Sequence, residues 1–523
     1  MIYLNKPAQT CWPQKTTQPK LSVSTSCAYY KALLYTKVMD LPNQPISPTP
    51  TPIVPPIPSS LPPTTPPSPQ IIKKSKFPLI ILPIILVVIL VLIAGFFVGK
   101  KIISSMNASK SVTLTYWGLW ESKEIIQPII DAYEGSHPNV KVNYIFQSQR
   151  EYRERLQNAL SQGLGPDIFR IHSSWTPMFK QDLSAVPATV YSASEYESTF
   201  YPTTKTDLRV GNNYVAVPLE IDGLALFVND DILTQAGKSV PVTWDELRQS
   251  AYDLCVGNTT DGKCRPGDKI LVAGVAMGTS DNVEHWQDIL AILMLQNNVN
   301  LNSPSGKNAE DALDYYTQFS RVDHVWDSTL PSSTENFASG KLAFYFGPSW
   351  RVFDVLNLNP KLKFSVHPVP QAPLDLVRGE KPINWASYWA EGVNAKSVHK
   401  DAAWEFVKYL SSPENLQKFY STASLTRAFG EPYGRTDLAA NIKDAPYVGA
   451  YISQAPTARS WYLASNTFDG PTGINTLLSK YFSDAVNKVN QGSSASEAIK
   501  TLSLGITQVL SRYGLAAVAP QSK

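Results

Sequence analysis

The stretch VAVPLEIDGLALFVNDD, Val215 to Asp231, is an apolar strand interrupted by two carboxylates. Its Val, Ala, Leu and Phe residues are typical of a buried strand, where unpaired acids are rare. Glu220 and Asp222 are two residues apart, and on extended backbone such side chains lie on the same face. The pair therefore indicates a place where a buried strand meets a polar surface.

The residues upstream of this stretch alternate between strand and helix patterns. SVTLTYWGLW, VKVNYIFQ and PDIFRI have the composition of strands, and ESKEIIQPIIDAYEGSHP and YRERLQNALSQG separate them as helices. This order predicts parallel βαβ units and therefore an α/β fold.

Further helices are indicated downstream. Thr243 and Glu246 predict a capping box at a helix start. Amphipathic helices are predicted in DAAWEFVKYLSSPENLQKFY, GINTLLSKYFSDAVNKV and SEAIKTLSLGITQVLSRYG.

Two segments precede this body, which begins at about residue 110. Residues 1–76 include a Pro-rich run and are predicted to form a disordered cytoplasmic tail. Residues 77–99, FPLIILPIILVVILVLIAGFFVG, carry no charge and are long enough for one transmembrane helix. More lysines precede this span than follow it, so we expect a single-pass membrane anchor with the body outside the cell. A cleaved signal peptide is the competing interpretation, but its apolar region would be shorter.

Residues 1–38 show no pattern, and Met39 begins the Pro-rich stretch. We expect translation to start at Met39.

Composition excludes some functions. The net charge is only +3 over 523 residues, and no basic stripe with interleaved aromatic residues occurs, so a nucleic-acid partner is not expected. No GxxxxGK[ST] loop occurs, so the chain does not hydrolyse nucleotide by that machinery. We expect no cofactor.

The chain has four cysteines, too few for a disulfide framework. Cys255 and Cys264 flank the turn-rich loop CVGNTTDGKC on the side assigned to the oxidising exterior, and we predict one disulfide between them. No second Cys or His pair has metal-ligand spacing, so no metal site is predicted.

Seven short signatures, in this order, resemble the extracellular solute-binding proteins of the maltose-binding type, the capture subunits of carbohydrate ABC importers. They are TYWGLW, NVKVNYIFQ, GPDIFRI with a following Trp, YVAVPLEIDGLALFVNDDIL, VTWDEL, FASGKLAFYFGPSW and ASYWAEGVNAKSVHKDAAWEFVKYLSSPENL. The resemblance covers the whole body, residues 110–523.

The resemblance implies a two-lobed, periplasmic-binding-protein-like α/β fold that holds ligand in an interlobe cleft. The first lobe would take about 111–219 and 383–427, and the second about 220–382 and 428–523. The opening stretch would then cross between lobes, with its acids facing a wet cleft. By position, Asp222 matches the family's hinge-side acid that accepts sugar hydroxyls, whereas Glu220 has no such counterpart.

The predicted ligand-binding residues are acids and aromatic residues, because a sugar has an apolar ring face and hydroxyl edges. Besides Asp222 and Glu220 they are Trp117, Trp120, Trp175, Trp286, Trp350, Trp385 and Trp461. For each Trp the alternative is packing in the core. Surface or capping roles explain His172, His285, Arg427 and Arg459 equally well. Trp389 is left out, since it can pack under the hinge.

These residues predict a protein that captures a sugar or oligosaccharide by hinge closure and passes it to ABC permease and ATPase subunits in other chains. A glycan-binding surface receptor or adhesin, and a polyamine-binding protein of the same fold, are the alternatives. An enzyme is not expected, because glycoside hydrolysis needs carboxyl groups on opposite sides of the scissile bond. Neighbours on one strand face approach from the same side.

Overall fold

The computed structural model describes residues 111–374 and 379–515. The predicted tail at 1–76 and the predicted apolar span at 77–99 lie outside these residues. In the described ranges, no helix combines the length and the hydropathy that a membrane span requires.

Short strands and longer helices alternate through the described chain. The strands are β1 (Val112–Gly118), β2 (Val140–Phe146), β3 (Ile168–His172), β4 (Arg209–Val210), β5 (Asn213–Tyr214), β6 (Ala216–Val217), β7 (Ala225–Asn229), β8 (Val256–Gly257), β9 (Ile270–Val275), β10 (Leu342–Gly347), β11 (Phe364–His367), β12 (Asn384–Trp385), β13 (Trp389–Val393) and β14 (Ala458–Arg459). The helices are α1 (Lys123–Ser136), α2 (Tyr152–Ser161), α3 (Thr176–Phe179), α4 (Ala193–Thr199), α5 (Thr204–Asp207), α6 (Asp230–Ala236), α7 (Trp244–Leu254), α8 (Trp286–Gln296), α9 (Gly306–Arg321), α10 (Ser333–Ala338), α11 (Arg351–Leu358), α12 (Lys400–Leu410), α13 (Pro413–Ala423), α14 (Val448–Gln454), α15 (Ile474–Asn490) and α16 (Ala495–Arg512).

The first large sheet has the strand order β2-β1-β3-β13-β6. Strand β1 is parallel to both β2 and β3, which confirms the predicted βαβ units. Strand β13 runs antiparallel to β3, and its Glu391 is the register partner of Arg170. These two side chains form a buried ion pair with an Nε–Oε1 distance of 2.7 Å. The centre of this sheet therefore carries a matched pair of charges.

The second large sheet has the order β11-β7-β10-β9-β8. Strand β10 is parallel to β9 and antiparallel to β7. Every residue of β7 and β10 is buried, because helices cover the sheet. The predicted capping box is confirmed at α7: Thr243 Oγ1 accepts from Glu246 N, and the Glu246 carboxylate accepts from Thr243 N. The sheets form the cores of two α/β lobes.

In the described part of the chain, three segments lead from one lobe to the other: 218–224 between β6 and β7, 386–388 between β12 and β13, and 424–447 between α13 and α14. The first pairs with each of the other two. Ile221 N donates to Pro432 O at 2.9 Å, which joins the first segment to the third. Gly223 forms an antiparallel bridge with Ala386 on the second. The lobes are therefore connected by a small hydrogen-bonded hinge, which contains the acids of the opening stretch. The lobe limits proposed from the sequence stay a prediction.

Candidate functional site

A cavity of about 440 Å³ lies between the lobes, against the hinge segments. This volume is usual for a small-molecule site. Its aromatic lining residues are Trp120, Trp350, Phe353, Trp389, Phe429 and Phe468. Its charged lining residues are Glu220, Asp222, Asp288, Glu431, Arg351 and Arg427. The cavity thus combines ring faces with carboxyl groups.

Asp222 joins the hinge to the second lobe. Its carboxylate accepts from Ser349 N at 3.1 Å, from Ser349 Oγ at 2.9 Å and from Gly223 N at 2.8 Å. Ser349 follows β10, so these bonds attach a loop of the second lobe to the hinge. Burial raises the pKa of Asp222 to about 7, although the hydrogen bonds oppose the shift.

Glu220 belongs to a buried acid and arginine network. Its burial, and then the charge of Glu431, raise its pKa well above the ordinary value, which favours its protonated form. Burial alone would raise the pKa of Glu431, but the hydrogen bond from Glu220 and the charge of Arg427 lower it to about 2. Arg427 Nη2 lies 3.0 Å from Glu431 Oε1 and 2.7 Å from Glu121 Oε1. One guanidinium therefore serves two carboxyl groups.

His172 lines the cavity as a neutral imidazole. Ser174 N and Oγ lie 3.2 and 2.7 Å from Nδ1, and Ser387 Oγ lies 3.0 Å from Nε2. Since a backbone N–H can only donate, Nδ1 accepts and Nε2 carries the proton. Burial lowers the pKa of His172 to about 3, which keeps the ring uncharged.

Asp288 is the acid on the second lobe's side of the cavity. Its Oδ1 accepts from Trp385 Nε1 at 2.7 Å and from Ser465 N at 3.2 Å. Its Oδ2 accepts from Ser465 Oγ. Ser465 Oγ in turn lies 2.7 Å from His285 Nδ1. The carboxylate is thus held by neutral donors.

An aromatic cluster forms one wall. The ring centroids of Trp120 and Trp389 are 5.7 Å apart, as are those of Trp120 and Phe468. Trp175 packs behind Trp389 at 5.1 Å. Such edge and tilted contacts are favourable, and they fix the orientation of the rings that face the cavity.

Three residues of this wall adopt left-handed backbone conformations. Trp120, Asn466 and Phe468 have φ values of 70°, 52° and 51°. This region is uncommon for residues other than Gly, and especially for large aromatic residues. Strained backbone of this kind is concentrated at functional sites.

Trp350 forms part of another wall and is 36% exposed. The guanidinium carbon of Arg351 lies 4.4 Å from its ring centroid. Arg351 Nε donates to His285 Nε2 at 2.9 Å. Trp350 is therefore supported on one side and open on the other.

The structure brings some of the predicted site residues together. Glu220, Asp222, Trp120 and Trp350 line the cavity, whereas Trp117, Trp175, Trp286, Trp385 and Trp461 do not. Among the side chains with equally good surface or capping explanations, His172 and Arg427 line it, and His285 and Arg459 do not.

The tryptophans outside the cavity have specific packing roles. Trp175 is fully buried beside Tyr152 and Phe179, and Trp385 is 2% exposed with its N–H on Asp288. Neither residue lines the cavity, so the expectation that both face a ligand stays a prediction. Their neighbours in sequence are polar loop residues, so local composition does not reveal this burial.

The remaining three tryptophans also lie away from the cavity. Trp117 is half-buried within β1, and Trp286 is buried at the first turn of α8. Trp461 donates to Asn302 Oδ1 at 2.9 Å and contacts Phe482. We therefore leave all three out of the proposed ligand set.

The sequence interpretation missed several lining residues. Trp389 was assigned to packing, yet it both packs and faces the cavity. Asp288 lies in α8, which is otherwise mostly apolar, and a buried acid in such a helix could have indicated a site. Phe468 and Glu431 lie in irregular segments without a periodic pattern.

Cys255 and Cys264 are joined by a disulfide, with a Cα–Cα distance of 5.9 Å. Neither cysteine lines the cavity. Within the described residues, no group of three or more His, Cys, Asp or Glu side chains is arranged to hold a metal ion.

Sequence relatives are distant. The chain is 21% identical over 307 residues to the maltotriose-binding protein of Pyrococcus abyssi (strain GE5 / Orsay), covering 56% of this chain and 61% of that protein. It is 23% identical over 406 residues to the diacetylchitobiose binding protein DasA of Streptomyces coelicolor (strain ATCC BAA-471 / A3(2) / M145), covering 73% and 87%.

The fold has solved counterparts. The sugar-binding protein MalE from Xanthomonas citri superposes with a TM-score of 0.60 at 18% identity, covering 77% of this chain and 98% of that one. At this identity the likeness shows the two-lobed fold. The model of the family described as bacterial extracellular solute-binding protein matches residues 128–429, which is more than half of the chain. The chain therefore belongs to the bacterial extracellular solute-binding proteins.

Proposed function

We propose that this protein captures a sugar or an oligosaccharide outside the cell and delivers it to an ABC importer formed by other chains. One observation carries the proposal: a single interlobe cavity holds both aromatic ring faces and carboxyl groups. Ring faces stack on the apolar side of a sugar, and carboxylates accept its hydroxyl protons. The two sequence relatives, both named as binding proteins for oligosaccharides, support the same substrate class.

The proposed ligand set combines predicted and newly placed residues. Trp120, Trp350 and Trp389 would stack on the ligand, and Asp222 and Asp288 would accept its hydrogen bonds. Glu220, whose protonated form is favoured, would hold the hinge and donate where the ligand reaches it.

Capture would involve closure of the lobes about the hinge. The support for this is the small number of crossing segments and the cavity's position against them. Domain closure about a few hinge residues is a common response to ligand. Small-angle scattering of the purified protein, with and without ligand, would detect a decrease in radius of gyration. An unchanged radius on saturation would contradict closure.

We also propose that the uncharged run at 77–99 anchors the protein in the cell membrane as one helix, with the tail inside. The support is its length and its flanking lysines. Carbonate extraction should leave the protein in the membrane fraction, and protease added to intact cells should degrade the body. Release by carbonate would contradict the anchor.

The test of the binding function is a thermal-shift screen of the full chain, purified in a mild detergent, against mono- and oligosaccharides. A ligand at a hundred times its Kd stabilises the folded state by about 2.7 kcal/mol. A sugar that raises the Tm supports the proposal. A broad panel that leaves the Tm unchanged contradicts it.

A further inference from the structure

Four acids and two arginines line the cavity, and neither arginine is paired with Asp222 or Asp288. The charged lining residues are Glu220, Asp222, Asp288, Glu431, Arg351 and Arg427. Arg427 is already shared between Glu431 and Glu121, at 3.0 and 2.7 Å. Its charge is therefore committed to the buried network beside the hinge.

Arg351 is committed as well. Its Nη2 lies 2.9 Å from Glu284 Oε1, and its Nη1 lies 2.8 Å from Asp354 Oδ2. Neither acid is part of the cavity lining. Among the described residues, no Lys or Arg forms an ion pair with Asp222 or Asp288.

Neutral groups alone hold the two remaining carboxylates. Asp222 accepts from Ser349 and Gly223. Asp288 accepts from Trp385 and Ser465. Each acid is thus fixed in orientation by uncharged donors, and each lines the cavity.

His285, the imidazole beside Asp288, does not supply a positive charge. His285 Nδ1 lies 3.6 Å from Asp288 Oδ2, but its Nε2 accepts the N–H of Arg351. Burial lowers the pKa of His285, so the imidazole is neutral. The Arg351 guanidinium is therefore separated from Asp288 by the imidazole of His285 and the hydroxyl group of Ser465.

Both acids line the same cavity, and one short segment contacts both residues. Trp385 donates its side-chain N–H to Asp288, and two residues later Ser387 N donates to the backbone O of Asp222 at 3.0 Å. Ser387 itself lines the cavity, so a ligand that enters it meets a wall to which both acids are attached.

The aromatic walls favour the same ligand charge. The faces of Trp120, Trp350 and Trp389 are electron-rich and attract cations that lie over them. Arg351 already uses one face of Trp350 in this way. Trp120 and Trp389 line the same cavity.

We propose that the preferred ligand is a sugar that carries a protonated amine, for which Asp222 and Asp288 provide the counter-charge and the indole rings provide the stacking surfaces. This inference rests on the proposed sugar-binding function and narrows its substrate class. An ammonium group would form an ion pair with Asp288 and would favour the ionised form of Asp222, whereas a neutral sugar would leave both acids without a cationic partner.

The test compares sugars that share one skeleton and differ in one group. Isothermal titration of the full chain in detergent at pH 7 would use glucose, glucosamine and N-acetylglucosamine, together with the β-1,4-linked dimer of each. We expect the amino form to bind about tenfold or more tightly than the hydroxyl and acetamido forms. A panel of neutral malto-oligosaccharides and the linear diamine putrescine complete the set.

Each outcome separates this inference from the proposed function. Neutral sugars that bind as tightly as the amino sugars, or more tightly, overturn the inference and leave sugar capture in place. Putrescine that binds as well as the amino sugars overturns the role of the ring. A chain that binds no sugar at all overturns both proposals.

Charge-removing variants locate the amine. Asp288→Asn and Asp222→Asn should each weaken amino-sugar binding about tenfold and change neutral-sugar binding much less. Asp484→Asn removes an exposed acid on α15 and should change neither. If an Asn variant weakens neutral and amino sugars equally, that acid serves as a hydroxyl acceptor and the inference is wrong. The two variants are independent, so one remains informative if the other unfolds.

Discussion

At the scale of single residues, the molecule uses tryptophan in two ways. Trp350 is partly exposed, faces the cavity and makes no hydrogen bond through its indole N–H within the described residues. Trp461 lies outside the cavity, donates to Asn302 and packs on Phe482. Trp350 can therefore contact a ligand, whereas Trp461 stabilises the packing around Asn302 and Phe482.

This difference predicts opposite effects of the same substitution. Trp350→Ala should weaken sugar binding about tenfold to a hundredfold, because it removes an open stacking face, and should change the unfolding free energy by about 1 kcal/mol or less. Trp461→Ala should lower the unfolding free energy by about 1–3 kcal/mol and leave affinity within about twofold. Calorimetric titration and chemical denaturation of both variants check this. Equal losses of affinity would show that the cavity is not the binding site.

Glu121 predicts a dependence of stability on pH. Burial, and then the charge of Glu431, raise its pKa to about 8. A carboxyl group with a higher pKa in the folded state stabilises the fold at low pH, and this contribution is lost as the pH rises through the folded pKa. The unfolding free energy should therefore fall by about 1–2 kcal/mol between pH 6.5 and 8.

Glu220 adds a change of the same sign, since its pKa is also raised. Asp222, whose pKa is about 7, also adds a change of the same sign. The lowered pKa of Glu431 contributes little, because this group titrates below the window when folded and unfolded. The lowered pKa of His172 opposes the fall by less than about 0.5 kcal/mol, because its unfolded pKa of about 6.5 lies at the lower edge of the window. Glu121→Gln should flatten the slope, and the exposed Glu414→Gln should not. Denaturation at several pH values measures it. A rise in stability over this window would contradict the assignment.

At the scale of elements, the hinge depends on close backbone approach. A Cβ atom on Gly223 would lie 1.9 Å from the carbonyl O of Trp385, so only glycine lets the first and second crossing segments pair. Gly223→Ala should destabilise the fold by about 1–3 kcal/mol and weaken ligand binding, since it pushes the crossings apart. In Gly135→Ala, the added Cβ meets no atom within 4 Å. This change lies in α1 and should stabilise by about 0.5–1 kcal/mol.

Thermal unfolding of both glycine variants provides the measurement. A Gly223→Ala protein with unchanged stability and affinity would show that the crossings separate easily and that the close approach is not required.

Elements with strong local patterns were predictable from the sequence. The strands that alternate with α1 and α2, and the capping box at Thr243, depend on interactions within a few residues. The position of Trp175 was not predictable, because it depends on contacts with Tyr152 and Trp389, which lie far apart in the sequence. The same reason explains why the role of Asp288 became visible only in three dimensions.

At the scale of the whole molecule, an aromatic pair in the cavity lining joins distant parts of the chain. Phe353 lies on α11 and Phe429 follows α13, and their ring centroids are 4.5 Å apart. The guanidinium carbon of Arg427 lies 5.2 Å from the Phe353 ring centroid. The sequence predicted two lobes and a cleft through its resemblance to a family, but not this contact, because the two phenylalanines are far apart in the sequence.

This contact predicts how long a ligand stays bound. Phe353→Ala should remove about half of the aromatic bridge, lower the population of the closed form and weaken binding about tenfold. Most of this loss should appear as a faster dissociation rate, because substitutions within one binding site change the dissociation rate more than the association rate. Leu358→Ala, at an exposed site on the same helix, is the matched control and should leave the rates unchanged. Stopped-flow measurement of both rates, with scattering of the ligand-saturated proteins, separates the possibilities. If the ligand dissociates from Phe353→Ala as slowly as from the native protein, the contact between the two rings does not retain the ligand.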